Sequence, residues 1–238
     1  MKRFKFPLFL AVLAGLAALS YAGPDAGKAA YDRGDYATAY KEFVKLAELG
    51  DAEAQYYLGL MYDKGQGVPE DHGEAVTWYG KAADQGYAKA QCRLGAAYQT
   101  GNGVQQDYAE AAKCYRKAAE QGHAEAQCSL GNMYGEGHGV QQDYAEAAKW
   151  CQKAAEQGDA LAQATLGWAY ADGNGLPQDY VQAFMWFSLA AAQGYPSAED
   201  YKDKLAEKMT PGQIAEAQRL AGEWKPKIVN GIRPGQEN

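Results

Sequence analysis

Residues 87–122, YAKAQCRLGAAYQTGNGVQQDYAEAAKCYRKAAEQG, run without a gap into residues 123–158, HAEAQCSLGNMYGEGHGVQQDYAEAAKWCQKAAEQG, and 25 of the 36 aligned positions are identical. Two further stretches of the same length flank them, 51–86 and 159–194. Four tandem copies make this a repeat array, so function has to be sought in what an array does and in where its copies differ.

Each copy reads as two helices and a loop. In the second copy Ala90, Leu94, Ala97 and Tyr98 recur at three- and four-residue steps, one apolar helical face. Gly95 removes a side chain where a partner helix can approach. The helix ends at Gly101-Asn102-Gly103, where glycine supplies the left-handed cap. Asp107 followed by Glu110 predicts a capping box for the second helix, with Asp71/Glu74, Asp143/Glu146 and Asp179/Gln182 in the same places. The second helix turns Ala111, Tyr115, Ala118 and Ala119 inward and stops at Gly122. One such hairpin cannot bury both sides of its helices, but stacked hairpins share a continuous core.

The ends of the chain differ from the array. Lys2, Arg3 and Lys5 precede an apolar run from Phe6 to about Ala18, and Ser20-Tyr21-Ala22 places small residues three before and one before a cut after Ala22. Residues 1–22 read as a secretory signal peptide, too short to span a bilayer and followed by a cleavage site; an uncleaved anchor is the alternative. The cut leaves Gly23 first and moves the formal net charge from −7 to −10 by removing three cations. That acidity argues against nucleic acid and anionic membrane surfaces. No later segment is apolar enough to insert in a membrane after cleavage, and the expected compartment is periplasmic or secreted. Residues 23–50 form a shorter hairpin, turned at Gly34-Asp35-Tyr36, that caps the array. Residues 195–224 form a helical cap in which Thr210-Pro211-Gly212-Gln213 starts the last helix. Residues 225–238, with Pro226, Gly231, Pro234 and Gly235, read as a loose tail.

The pattern Ala52, Ala54, Gln55, Leu58, Gly59, Tyr62, Gly65, Gly67, Val68, Asp71, Ala75, Trp78, Tyr79, Lys81, Ala82, Ala83, Gly86 resembles the Sel-one-like repeat, a relative of the tetratricopeptide repeat. The resemblance covers about residues 30–194. The segment Met-Thr-Pro-x-Gln-Ile-Ala-Glu-Ala-Gln-Arg-Leu-Ala looks like the usual ending of bacterial members. It implies an all-α fold, a right-handed superhelical solenoid that binds other proteins. Two departures stand out: Cys114 occupies a place where the family has tryptophan, and Ala164 one where an aromatic residue is common.

Chemistry is scarce. The Gly-x-Gly loops follow helices and lack the Lys-Ser/Thr of a phosphate loop, so they read as turns. His72 and His138 lie in loops and His123 at a unit start, none with a second ligand at metal spacing in the chain. No nucleophile has a local signature. The expectation is no enzyme, no cofactor and no metal. A hydrolase of the cell wall or of β-lactams, proposed for some secreted relatives, would need such a site; a secreted factor that binds a host protein is a variant of the binding reading.

Cys92 and Cys128 hold the sixth place of their units, and Cys114 and Cys151 lie on the second helices of the same units. In an oxidising compartment this suggests Cys92–Cys114 and Cys128–Cys151 bridges. The sixth place points away from the partner helix, which opposes them. A Cys114–Cys128 bridge strands the other two thiols, and free thiols filling aromatic slots are the remaining alternative.

Seven of the eleven differences between the two closest copies fall on the first helix. The resemblance implies that first helices line the concave, partner-binding face. Counted along the repeat, that face shows Glu53, Leu60, Asp63, Lys89, Gln99, Glu125, Asn132 and Trp168, with a protein or peptide as the partner. Leu60 and Trp168 sit 200° round their helices from Leu58 and Leu166 and are expected to point away from the hairpin core. Trp168 has an alternative role, packing on the C-terminal cap. N-terminal sequencing of exported protein should begin at Gly23; an intact Met1 would overturn cleavage.

Overall fold

The structure is a computed structural model that describes residues 24–228; residues 1–22, read above as a signal peptide, Gly23 and the last ten residues lie outside it. Among the described residues there are twelve helices and no strand. The helices are α1 (Pro24–Asp32), α2 (Tyr36–Glu48), α3 (Ala52–Lys64), α4 (His72–Asp84), α5 (Ala88–Thr100), α6 (Tyr108–Glu120), α7 (Ala124–Glu136), α8 (Tyr144–Glu156), α9 (Ala160–Asp172), α10 (Tyr180–Ala192), α11 (Ala198–Ala206) and α12 (Pro211–Glu223). Up to α10 the main packing runs between consecutive helices, the short-range pattern of an α-α superhelical array.

The first helices begin on Asp51, Tyr87, His123 and Asp159 and end on Gly65, Gly101, Gly137 and Gly173, all left-handed. The second helices begin on Asp71, Asp107, Asp143 and Asp179, whose carboxylates accept amides of the first turn. The predicted capping boxes differ here. The backbone amide that a Glu or Gln side chain would take is bonded at 2.9 Å to the carbonyl of Tyr62, Tyr98, Tyr134 or Tyr170. The full reciprocal box forms only at α12 among the described helices, between Thr210 and Gln213.

Within a unit the close approach is made by one glycine. A Cβ on Gly59, Gly95 or Gly167 would sit 2.5–2.9 Å from the ring of Tyr79, Tyr115 or Phe187 across the hairpin. Between units the contact is backbone to backbone. The second glycine of each Gly-x-Gly lies on the start of the preceding unit's second helix: a Cβ on Gly139, at φ +68, would be 2.1 Å from the Tyr108 carbonyl oxygen, and Gly103 and Gly175 repeat this against His72 and Tyr144. The loops are therefore spacers that let units stack.

α10 is apolar on several sides, burying Phe184, Met185, Trp186 and Phe187 in succession, because α9, α11 and α12 all pack on it. The expected loose tail differs at its start. Lys227 donates its amide to the Glu156 carbonyl and its ammonium to the Glu156 carboxylate, both at 2.7 Å, which ties this part of the chain to the end of α8.

Gly139→Ala should lower unfolding free energy by about 2–4 kcal/mol, from a left-handed φ and a blocked interface together. Gly80, helical with open space at its Cβ, gives the control: Gly80→Ala should raise stability by about 0.5–1 kcal/mol. Denaturant melts of the two variants check the contrast.

Candidate functional site

The candidate site is built from the first helices and what faces them. Of the residues that the sequence places on the binding face, three are spent on internal structure. Asp63 accepts from Tyr79 Oη at 3.4 Å and pairs with His72 Nδ1 at 3.0 Å. Gln99 accepts from Tyr115 Oη at 2.8 Å. Leu60 departs from the outward orientation expected of it: it is 7 % exposed and packs with the buried residues of α2, α3 and α4. Glu53 and Lys89 are half-buried, and exposed Glu125 lies beside Arg93.

Asn132 and Trp168 come together. They line one cavity of about 170 Å3 between α7, α8 and α9, whose floor is the buried Gly131, Ala148 and Cys151 and whose rim is the exposed Glu136, Tyr144 and Asn174. Its lining is overwhelmingly apolar. Trp168 also meets the C-terminal cap, edge-on to Tyr201 at 5.2 Å, and lies edge-on to Phe187 of α10 at 5.8 Å. It thus forms a wall of the cavity on one side and packs the cap on the other.

The cysteine bridges left open by the sequence are not formed; none of the four cysteines is in a disulfide. The side chains diverge. Cys92 packs towards the following unit with Ala126 and Leu130, whereas Cys114 feels Asp84 of the preceding one. Cys151 points its sulfur at Gly131, 2.5 Å from where a Cβ would stand. Burial pushes the Cys114 thiol up to about 11 and the Cys151 thiol to about 12, and raises that of Cys128 as well. Such thiols carry almost no thiolate at neutral pH and are poor nucleophiles.

One grouping escaped the sequence. Cys92, His123 and Glu125 bring a sulfur, a ring nitrogen and a carboxylate oxygen within 4.8 Å of one another. Cys92 belongs to the unit before His123, so spacing along the chain could not show it. His123 stands where two other units have an N-cap aspartate, and its Nδ1 accepts the Ala126 amide at 3.3 Å. A metal at Nδ1 would displace that cap. A metal at Nε2 would move the ring proton to Nδ1, against the same amide. The imidazole is held as a helix cap. The other two histidines, read as solvated loop residues, are likewise engaged: His72, which opens α4, with Asp63 and Glu70, and His138 with Glu136 and, by stacking, Tyr108.

The fold and site define a class, an all-α array of paired-helix repeats whose capping and packing residues recur from unit to unit. The chain belongs to the Sel1 repeat family: the family model matches residues 52–87, 88–123, 124–159 and 160–195, which is the 36-residue period shifted by one. Among solved structures it is similar to c5321, described as a protective antigen of uropathogenic Escherichia coli with an SLR fold (38 % identity, TM-score 0.74, 79 % of this chain and 40 % of that one). It is also similar to a Sel1 repeat protein from Oxalobacter formigenes (34 % identity, TM-score 0.74, 84 % and 82 %). The chain thus spans less than half the length of the Escherichia coli antigen. A search of curated proteins found no match. Sel1 repeat proteins generally mediate protein–protein interaction and are typically non-catalytic scaffolds.

Trp168→Ala should lower unfolding free energy by about 2 kcal/mol, less than for a fully buried tryptophan, because the ring joins α9 to the cap through Tyr201. A melting temperature within a degree of the parent would show that the cap does not depend on it.

Proposed function

We propose that the chain is an exported, non-catalytic scaffold that holds a protein or peptide partner against its first helices. One observation carries the reading. The recurring polar residues are committed to caps and inter-helix bonds, while the differences between copies gather on the first helices, seven of eleven in the closest pair. Surface that varies on a constant frame is what selects a partner. The charged start, apolar run and Ser20-Tyr21-Ala22 support export, and the acidity of the remaining chain suits a neutral or cationic partner. Among the described residues no helix is long and apolar enough to cross a membrane.

The test is capture from the producing organism's extracytoplasmic fraction with the chain from Gly23 as bait, repeated with Glu125→Arg and Asn132→Arg together. A partner identified in the first capture should bind the double variant at least tenfold more weakly, measured on folded protein well below the variant's own melting temperature. Equal binding would place the contact elsewhere. Multiple turnovers on wall fragments or β-lactams, lost on changing one cavity residue, would replace the scaffold by an enzyme.

A further inference from the structure

At one place in the repeat every unit but the third carries an aromatic ring: Tyr79, Tyr115 and Phe187, against Cys151. In each of the three, the ring lies on the glycine of its own first helix, Gly59, Gly95 or Gly167. The third unit keeps that glycine, Gly131, but sets only a thiol against it. A second place varies with the first. Tyr79 and Tyr115 send their hydroxyls to Asp63 and Gln99; the matching residue is Ala171 where the ring is Phe187 and Gly135 where there is no ring. The third unit has lost both the ring and the side chain over its far end, and the cavity occupies this space.

We infer that this cavity receives an aromatic side chain of the bound partner, with the phenyl group of phenylalanine as its best fit; the inference rests on the scaffold reading above. Size agrees: an apolar cavity of about 150 Å3 holds a benzene molecule, and this one measures about 170 Å3. Shape agrees, since Gly131 offers a flat backbone on which the sister units lay a ring, and Trp168 supplies an aromatic wall. Access agrees, since the floor is buried, the rim is exposed, and half-buried Gly135 leaves the mouth without a side chain. The floor favours phenyl over phenol. A ring entering from the rim points its tip at Gly131, Ala148 and Cys151, where a hydroxyl would find a thiol, a weak partner, and the Ala147 carbonyl, which already belongs to the hydrogen-bonded turn of α8. The polar rim of Glu136 and Asn174 suits the partner's backbone rather than its ring.

The probe is fluorobenzene, followed by 19F NMR against the purified chain. Saturable binding is expected, displaced by N-acetyl-phenylalaninamide at least fivefold better than by the tyrosine or alanine analogue. Cys151→Phe should restore the ring that its sister units have, raise the melting temperature and weaken fluorobenzene binding at least tenfold; Cys151→Ala should retain binding. Gly135→Leu, whose added Cβ meets nothing closer than Ala147 at 3.8 Å, closes the mouth from the other side and should give the same tenfold loss if Cys151→Phe does not fold. No binding to the parent chain, equal binding to the filled variants, or equal displacement by the alanine analogue would each overturn the inference. Because the titration needs no partner, its failure alongside successful partner capture removes the pocket and leaves the scaffold. Fluorobenzene binding without capture removes the scaffold instead.

Discussion

The array depends on one buried amide repeated four times. Gln55, Gln91, Gln127 and Gln163 are 0–5 % exposed. Each donates Nε2 to a carbonyl in the last turn of the preceding unit's second helix, at Ala47, Ala83, Ala119 or Ala155, over 3.0–3.3 Å. Each also accepts, at 2.7–2.8 Å, the side-chain amide of the glutamine that closes its own second helix: Gln85, Gln121, Gln157 or Gln193. One side chain therefore joins three helices across two units and adds a second bond to a carbonyl that already accepts the amide of Gly50, Gly86, Gly122 or Gly158 at the helix end. Each bond adds only about 1 kcal/mol net, but a buried group left unmatched costs about 1–3 kcal/mol. A slip of the stack would unmatch all of them together, so the ladder sets register more than it adds stability.

The glycines act with the ladder from the other side. The glutamines hold successive units at a fixed distance, and the Gly-x-Gly loops remove the side chains that this distance would crush. The result is a frame rigid in its spacing and indifferent to what fills the slots between helices. That indifference allows Tyr79, Tyr115, Cys151 and Phe187 to stand at one place of the repeat, and Trp78, Cys114, Trp150 and Trp186 at the next. Even in a protein with a single core the surroundings relax only partly into such a loss of volume. Here the neighbouring units are held by their own amides, and the space remains open.

The same economy bears on function. Carboxylates that could be mistaken for an active site are caps on the second helices, and His123 is a cap in place of one. The thiols of Cys114, Cys128 and Cys151 are held neutral by burial. What is left for recognition is the changeable side of the first helices and the one unit that lacks its ring.

The sequence alone determined the fold class, the period and the helix ends, because each rests on local chemistry: glycine at left-handed stops, aspartate at helix starts, Thr210 and Gln213 at the last helix. Local spacing could not tell which carboxylate or amide would be consumed by a neighbour. Asp63 and Gln99 looked available, yet each is claimed by a tyrosine sixteen residues on. Leu60 looked exposed by its angle on the helix and is covered. Cys92 and His123 looked unrelated and are adjacent. The cavity was written in the four-way alignment of Tyr79, Tyr115, Cys151 and Phe187, but whether the missing ring leaves a space or a collapse is a property of packing. Only the tertiary structure decided it, since a void depends on whether helices from three directions are free to move in, and the glutamine ladder holds them in place.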